Sequence, residues 1–371
     1  MRRPSCFLTI IAAVCCLCAT TALADLPLTT SADPVPAGIM EVSYQRLSGK
    51  TTRLASDRDA GGLARHLAKL KSERGLTTRE KEKLLHETVR AASALDPVPD
   101  LRREVEDMTA YRSQTQALWN EHGHTERRIA YDIAAAARHA LRVWNEDDAR
   151  RYAKAALDRY NTDLIERYLV AAETDRRGIE TAFREATPGQ LAFHGQELED
   201  GLHAGKSVGA LAAIAARKTG DVRLMHVVLA ESSTQVALES LSTIDAISWP
   251  GAATALFMTA ARRPEIASAA LLGLGRLAVS DMDARDILLD NLGGPNGASA
   301  AAALGRLNDD RVIAQLKDVL FLETDETRVR HALLALRLSG SSSAKAILAD
   351  FANQPTTSPD LASEVPPWLR D

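Results

Sequence analysis

The run RRIAYDIAAAARHALRVW, Arg127 to Trp144, places Ile129, Ile133, Ala137, Ala140 and Trp144 on one stripe, with Arg127, Arg128, Asp132 and Arg138 off it. That spacing follows the 3.6-residue period and predicts an amphipathic helix. Similar patterning extends over residues 62–205 and predicts a helical domain. Thr77 and Thr78 are cap residues for a helix through REKEKLLHETVRAASAL, stopped by Asp96-Pro97 and Pro99. Another helix is expected from about Asp100 to Asn120. Asn145-Glu146-Asp147-Asp148 reads as a turn and acidic cap for a following helix, on which Tyr160, Leu164 and Tyr168 recur at i, i+4 and i+8 as core positions. Thr187-Pro188-Gly189 opens a further helix, which Gly201 and Gly205 punctuate at its end.

Residues 25–61 depart from this texture. Asp25 to Pro36 is rich in Thr, Ser and Pro and reads as extended or disordered. Ile39 to Ser56 reads as two strand-like runs around Ser48-Gly49-Lys50, a β-hairpin. Gly49-Lys50-Thr51 looks like the end of a phosphate-binding loop, but the first glycine of that motif would fall at Tyr44. A nucleotide site is therefore not expected there.

After about Ser207 the helices become short and regularly spaced, and a repeat emerges. LGLGRL (Leu272 to Leu277), AALGRL (Ala302 to Leu307) and LALRLS (Leu334 to Ser339) set Arg276, Arg306 and Arg337 at intervals of 30 and 31 residues. Each block ends an Ala/Leu-rich helix and is followed by a polar turn and a second helix: ARDILLDNL, RVIAQLKDVLF and AKAILADFA. A helix pair this short cannot bury its apolar face alone, so its neighbours must stack.

The stretch from Ala300 to Leu338 resembles the short HEAT-like repeats of the phycobilisome-lyase type. Its matching features are Leu304-Gly305-Arg306-Leu307, then Asp310-Arg311-Val312, then Leu316 to Leu320, then Asp325 to Val329-Arg330. The likeness fades before Arg262 and is absent upstream of Gly205. The resemblance implies an α-solenoid but no particular activity, since such repeats serve as scaffolds, inhibitors and a few enzymes. The expected fold is all-α: a helical domain over 62–205, a solenoid of HEAT-like helix pairs over 206–352, and a Pro-rich flexible tail over 353–371. In that tail Trp368 could dock a partner or pack back on the last repeat.

The N-terminus bears on address. Arg2 and Arg3 precede an apolar run from Phe7 to Cys18, and Thr21-Ala22-Leu23-Ala24 supplies small residues before a cut after Ala24. That is the pattern of a secretory signal peptide over residues 1–24. It predicts a periplasmic or secreted protein with no membrane span once the signal is cut. All four cysteines lie within this segment, at 6, 15, 16 and 18. The rest of the chain can hold no disulfide, thiolate metal site or cysteine nucleophile. Net charge is −4, and loss of Arg2 and Arg3 leaves 43 basic against 49 acidic residues, or about −6. That balance gives no electrostatic footprint for nucleic acid. Aromatic residues make up only 4% of the chain while alanine is abundant, which suits closely packed helices.

Candidate chemistry is sparse. HETVR (His86 to Arg90) lacks the second histidine of a zincin helix. His122 and His124 flank a glycine. In HGQELEDGLH, His194 and Glu197 share a helical face, whereas His203 points the other way unless the helix breaks at Gly201. A metal site of His194, Glu197 and His203 therefore requires that break. Two readings of Arg276, Arg306 and Arg337 follow from their spacing. They form a guanidinium row for an acidic partner segment, or each closes its own helix against terminal carbonyls and acids such as Asp281 or Asp309. The expected function is a non-enzymatic scaffold that binds a protein partner and needs no cofactor. The alternative is a metal-dependent hydrolase using His194 and Glu197, or His122 and His124, of the N-terminal helical domain. A bilin lyase fits poorly with export, and DNA binding is opposed by the acidic charge.

Overall fold

The computed structural model describes residues 39–121, 124–245, 247–249, 251–354 and 359–369. The signal-peptide reading, residues 25–38 and His122 lie outside the described residues. Within them the fold is all-α, with 19 α-helices and a single two-stranded antiparallel ribbon. No helix of the described residues is long and apolar enough to cross a membrane. The chain divides into two compact units, Met1–Leu141 and Arg142–Asp371.

In the first unit α1 (Ile39–Ser56), α2 (Ala60–Ser72), α3 (Thr78–Ala92) and α4 (Pro99–Met108) pack together. Their core holds Leu47, Leu63, Leu67, Leu70, Leu84, Leu85, Val89, Leu101 and Val105. Thr77 and Glu80 form a reciprocal capping box at the start of α3. The hairpin expected over 39–56 is instead α1. Leu47, Thr51 and Leu54 fall at i, i+4 and i+7, and Leu47 and Thr51 are buried, so tertiary contact rewards the helical period and overrides the strand-like composition.

The ribbon lies elsewhere, where helix was expected. β1 (Gln116–Glu121) pairs with β2 (His124–Ile129) in the register Gln116↔Ile129 to Glu121↔His124. Ile129 therefore leaves the helical stripe and is half exposed on β2, while Ile133, Ala137, Ala140 and Trp144 are buried on α5 (Ile133–Leu157). Helix α5 also runs straight through Asn145 to Asp148, where a turn was expected. Arg150 and Arg151 pair with Asp147 at 2.7 and 2.8 Å, and Arg151 with Asp148 at 2.8 Å. These i, i+3 and i, i+4 pairs turn the acidic run into helix support. The boundary between the two units falls within this helix. Tyr160 follows it with φ of 51° and is exposed, so the expected tyrosine stripe holds only at Leu164 and Tyr168 on α6 (Asp163–Val170).

The second unit continues with α7 (Glu173–Glu185), α8 (Pro188–His203), α9 (Gly209–Thr219), α10 (Val222–Glu231), α11 (Thr234–Leu241) and α12 (Ala253–Ala261). Then come α13 (Pro264–Leu277), α14 (Met282–Asp290), α15 (Gly297–Leu307), α16 (Asp310–Leu322), α17 (Glu326–Ser339), α18 (Ser342–Ala352) and α19 (Pro359–Trp368). Each odd-numbered helix from α7 to α17 touches the next odd-numbered one; α8 touches α10, α10 touches α12, and α16 touches α18. One continuous apolar core runs through this unit from Ala153 to Val365. Contacts between α7 and α9 carry it across residue 205, where the sequence texture changes.

The glycine of the repeat marks where odd-numbered helices meet. A Cβ on Gly275 would lie 2.8 Å from Cβ of Ala303, and one on Gly305 would lie 2.6 Å from the carbonyl oxygen of Ala335. Only a residue without a side chain lets these backbones approach so closely. At the equivalent position of α17 stands Leu336, which is buried.

The tail is not a flexible segment over its whole length. Residues 355–358 lie outside the described residues, but 359–368 form α19. Leu361, Val365 and Trp368 recur at i, i+4 and i+7; the first two are buried, and Trp368 packs on the core. Pro359 at the start and Asp360 in the first turn suit a helix N-terminus.

Candidate functional site

Arg276, Arg306 and Arg337 occupy the last turns of α13, α15 and α17, and all three are exposed. The register between these helices places them side by side. Ser268 and Ser299 hydroxyls hydrogen-bond at 2.6 Å, and the Ser339 hydroxyl donates to Asn308 Oδ1 at 3.2 Å, each pair 31 residues apart. A shift of about 30 residues thus carries each helix onto its neighbour, and it carries Arg276 to Arg306 and on to Arg337. Packed helix axes lie roughly 8–10 Å apart, so the last turns that carry the three arginines succeed one another at about that spacing.

None of the three closes its own helix in the way the alternative reading required. Asp281 caps α14 and accepts the Thr254 hydroxyl at 2.5 Å. Asp309 caps α16 and pairs with Arg285 at 3.2 Å. The helix-end carbonyls are met by basic side chains from later in the chain. Arg176 donates to Tyr168 and Leu169 carbonyls at the end of α6, and Lys218 donates to Ala186 beyond α7. Arg263 donates to Leu229 and Ser232 at the end of α10. Arg285 donates to Ala278 at 2.5 Å and Val279 at 2.8 Å, closing α13. Of the three arginine-bearing helices α13 is closed in this way, while α15 and α17 end on left-handed Asn308 and Gly340. Among the described residues Arg276 and Arg306 make no side-chain hydrogen bond or ion pair.

The row also extends further than the spaced motif showed. Arg184 stands in the last turn of α7 and Arg217 in the last turn of α9, both exposed. They line one cavity of about 190 Å³ with Glu180, Ile214, Val236 and Glu239. Arg184 pairs with Glu180 at 3.2 Å, while Arg217 makes no ion pair among the described residues. Sequence reading passed over both because the Gly-Arg-Leu signature is missing from their helices. The available signal was a basic residue in the last turn of α7 and α9, as in α13, α15 and α17. The series skips α11, after which Asp245 stands. Backbone N–H groups of Ser248 and Ile247, with Arg276 nearby, hold the Asp245 carboxyl below the ordinary carboxylate range.

At the other end of the row, the Arg337 guanidinium lies 4.8 Å from the centroid of the Trp368 ring. That is within cation–π range. Helix α19 therefore touches the last arginine, which stays exposed, and of the two roles open to Trp368 the structure displays packing onto the array.

No family model, curated protein or solved structure matches this chain.

The histidines proposed as metal ligands do not converge. Helix α8 is continuous from Pro188 through Gly201 to His203, without the break such a site needs. His194 is fully buried between the rings of Phe183 and Phe193, with Nδ1 3.5 Å from Oε2 of Glu197. Burial holds its imidazole below the ordinary range, and Glu197 opposes this in part. His203 is half exposed and turned to Glu231 at 2.8 Å and Glu199 at 3.9 Å. His124 is exposed on β2, beside Glu126 and Arg128. Among the described residues no three His, Cys, Asp or Glu side chains are placed to hold a metal ion.

Gly49-Lys50-Thr51 lies in the middle of α1, with its backbone N–H groups in the helix. The Thr51 hydroxyl belongs to a buried network, 3.0 Å from Thr88 Oγ1, 3.1 Å from His66 Nε2 and 3.3 Å from the Leu47 carbonyl that it donates to. Thr51 thus joins Leu47, His66 and Thr88 in one set of buried hydrogen bonds. This is packing chemistry that joins α1, α2 and α3.

Proposed function

We propose that the protein is an exported, non-enzymatic scaffold whose C-terminal helices form a HEAT-like α-solenoid and bind an acidic segment of a protein partner. The observation that carries the reading is the division of labour among basic residues. Arg285 meets the carbonyls that end α13, so Arg276 keeps its hydrogen-bonding capacity for something outside the chain, and Arg217 and Arg306 likewise make no side-chain hydrogen bond or ion pair among the described residues. A guanidinium presents a planar fork of donors that matches a carboxylate, and a row at helix-to-helix spacing suits an extended segment carrying several Asp or Glu residues. The solenoid is supported by the recurrent Gly-Arg-Leu helix end and by the contacts of each odd-numbered helix with the next. Export is supported by Arg2-Arg3, the apolar run to Cys18 and the small residues before Asp25. The reading calls for no cofactor.

The test is site-specific photo-crosslinking in cells that express the full chain. A photoreactive residue replaces Leu272 or Leu338, both exposed on odd-numbered helices, or Lys317 on α16 as a control. A defined protein captured from 272 and 338 but not from 317 is expected. It should disappear when Arg276, Arg306 and Arg337 are all changed to Glu, and its capture should weaken with salt. Equal capture from all three positions, or capture that survives the triple reversal, would sink the reading.

A further inference from the structure

We infer that the exposed edge of strand β1 is a self-pairing surface, through which two copies of this chain join their ribbons into one four-stranded antiparallel sheet. The ribbon is unusual among the elements of the first unit. Its two strands make their main contacts with each other, every residue of β2 is exposed, and so are Gln116, Leu118 and Asn120 on β1. A lone two-stranded ribbon is marginal in water, and it gains stability from further strands or from a helix against its face. Here the base alone is anchored: the buried Glu82 carboxylate accepts the backbone N–H groups of Gln114 at 2.7 Å and Thr115 at 2.8 Å.

The two edges of the ribbon differ. Strand β2 carries His124, Glu126, Arg127 and Arg128, and charges of that kind blunt an edge against pairing. Strand β1 carries no charge from Gln116 to Asn120. The Ala130 N–H donates to the Thr115 carbonyl at 2.9 Å. By the alternation of an antiparallel ladder, Ala117, Trp119 and Glu121 then bond inward to β2, and the N–H and C=O groups of Gln116, Leu118 and Asn120 point off the free edge.

These outward groups match themselves. An antiparallel pairing about a two-fold axis at Leu118 sets Leu118 opposite Leu118, Gln116 opposite Asn120 and Ala117 opposite Trp119 of the second copy. All three outward N–H and all three outward C=O groups of each copy are then used, and no like charges face each other. Shifting the axis to Trp119 leaves the Gln116 groups unpaired and sets Ala117 against Glu121. In the Leu118 register, Leu118 and Ile129 of both copies, each half exposed here, share one face of the joined sheet. Such an interface is isologous and closes at two copies. A single strand pair buries less than a standard interface, so dissociation on the order of tens of micromolar is expected.

Sedimentation of the full chain across concentrations up to roughly 500 µM should show a monomer–dimer equilibrium in that range. Position 118 faces itself, so Leu118→Lys and Leu118→Glu should each weaken the dimer about tenfold or more by setting like charges opposite one another. An equimolar mixture of the two variants should regain it, because Lys then faces Glu. Far-UV circular dichroism checks that each variant keeps the wild-type helical signal. A wild-type chain that stays monomeric, variants that dimerise as wild type does, or a mixture that fails to recover would each overturn the inference. If the edge instead takes a strand from a different protein, the first of these results is what appears.

Discussion

Gly305→Ala and Gly49→Ala make the same chemical change in two helices, and the structure assigns them opposite signs. In α1 a Cβ at position 49 meets nothing within 4 Å, so alanine should return the helix-propensity gain of about 0.5–1 kcal/mol. In α15 a Cβ at position 305 would stand 2.6 Å from the Ala335 carbonyl oxygen and 2.8 Å from Leu338 Cβ. An unstrained carbon–oxygen contact is about 3.3 Å or longer, so α15 and α17 must separate by roughly 0.7 Å or tilt. The oxygen is part of the α17 backbone, and no rotamer change can relieve the clash. Overpacking a filled site costs about 1–3 kcal/mol, while the propensity gain offsets up to ~1 kcal/mol. The net expectation is a loss of about 0–2.5 kcal/mol, and a gap between the two variants of about 1–3 kcal/mol. Thermal and urea unfolding followed at 222 nm would measure it, each kcal/mol being worth roughly 2–4 °C for a unit the size of Arg142–Asp371. If Gly305→Ala stabilises as much as Gly49→Ala, the backbones of α15 and α17 are not in contact there. The side-by-side placement of Arg306 and Arg337 would then lose its basis.

Two further predictions concern the charged groups. Arg285 caps α13 with most of its side chain buried, so Arg285→Met should cost about 1–3 kcal/mol, whereas the exposed, unpaired Arg276→Met should change stability by less than about 0.5 kcal/mol; equal losses in urea titrations would contradict the division of labour among basic residues. Burial is the main reason that His66, His86, His194 and His226 all titrate below the ordinary imidazole value of 6.5. The unfolded chain therefore binds more protons than the folded one just below that pH, so their contribution is complete above 6.5 and is lost as pH falls toward the folded values. For the fully buried His194 the loss approaches about 1.4 kcal/mol per pH unit, and His194→Leu should flatten the dependence of stability on pH between about 6.5 and 5 by up to that amount. An unchanged slope would show that His194 protonates freely in the folded protein.

Much of the local structure was legible because its causes are local. Thr77 with Glu80 and Thr187 with Gln190 are capping boxes written within four residues, and both form. The stripe from Ile133 to Trp144 is buried as its period demands. The departures share one physical cause, which is contact between residues distant in the chain. The Glu82 carboxylate reaches backbone N–H groups more than 30 residues away and ties down the ribbon that helical patterning had hidden. Asp147 and Asp148 belong to a helix rather than a turn because Arg150 and Arg151 answer them and the same helix buries Trp144 and Ala149. Prolines at 366 and 367 argued for a loose tail, yet Leu361 and Val365 find a buried surface and the chain ahead of them coils.

The candidate site divides along the same line. Sequence by itself determined the all-α class and the placing of Arg276, Arg306 and Arg337 at helix ends 30 and 31 residues apart, because these follow from local period and spacing. It could not determine what each arginine meets, since a helix-end carbonyl and a solvent-facing row are equally reachable from the same position. Only the tertiary structure decided that. It brings Arg285 to the end of α13, sets Trp368 over Arg337, adds Arg184 and Arg217 to the row, and separates His194 from His203 along an unbroken helix. A side chain's partner depends on which helices pack together, and that packing is fixed by burial summed over the whole unit rather than by any short stretch of chain.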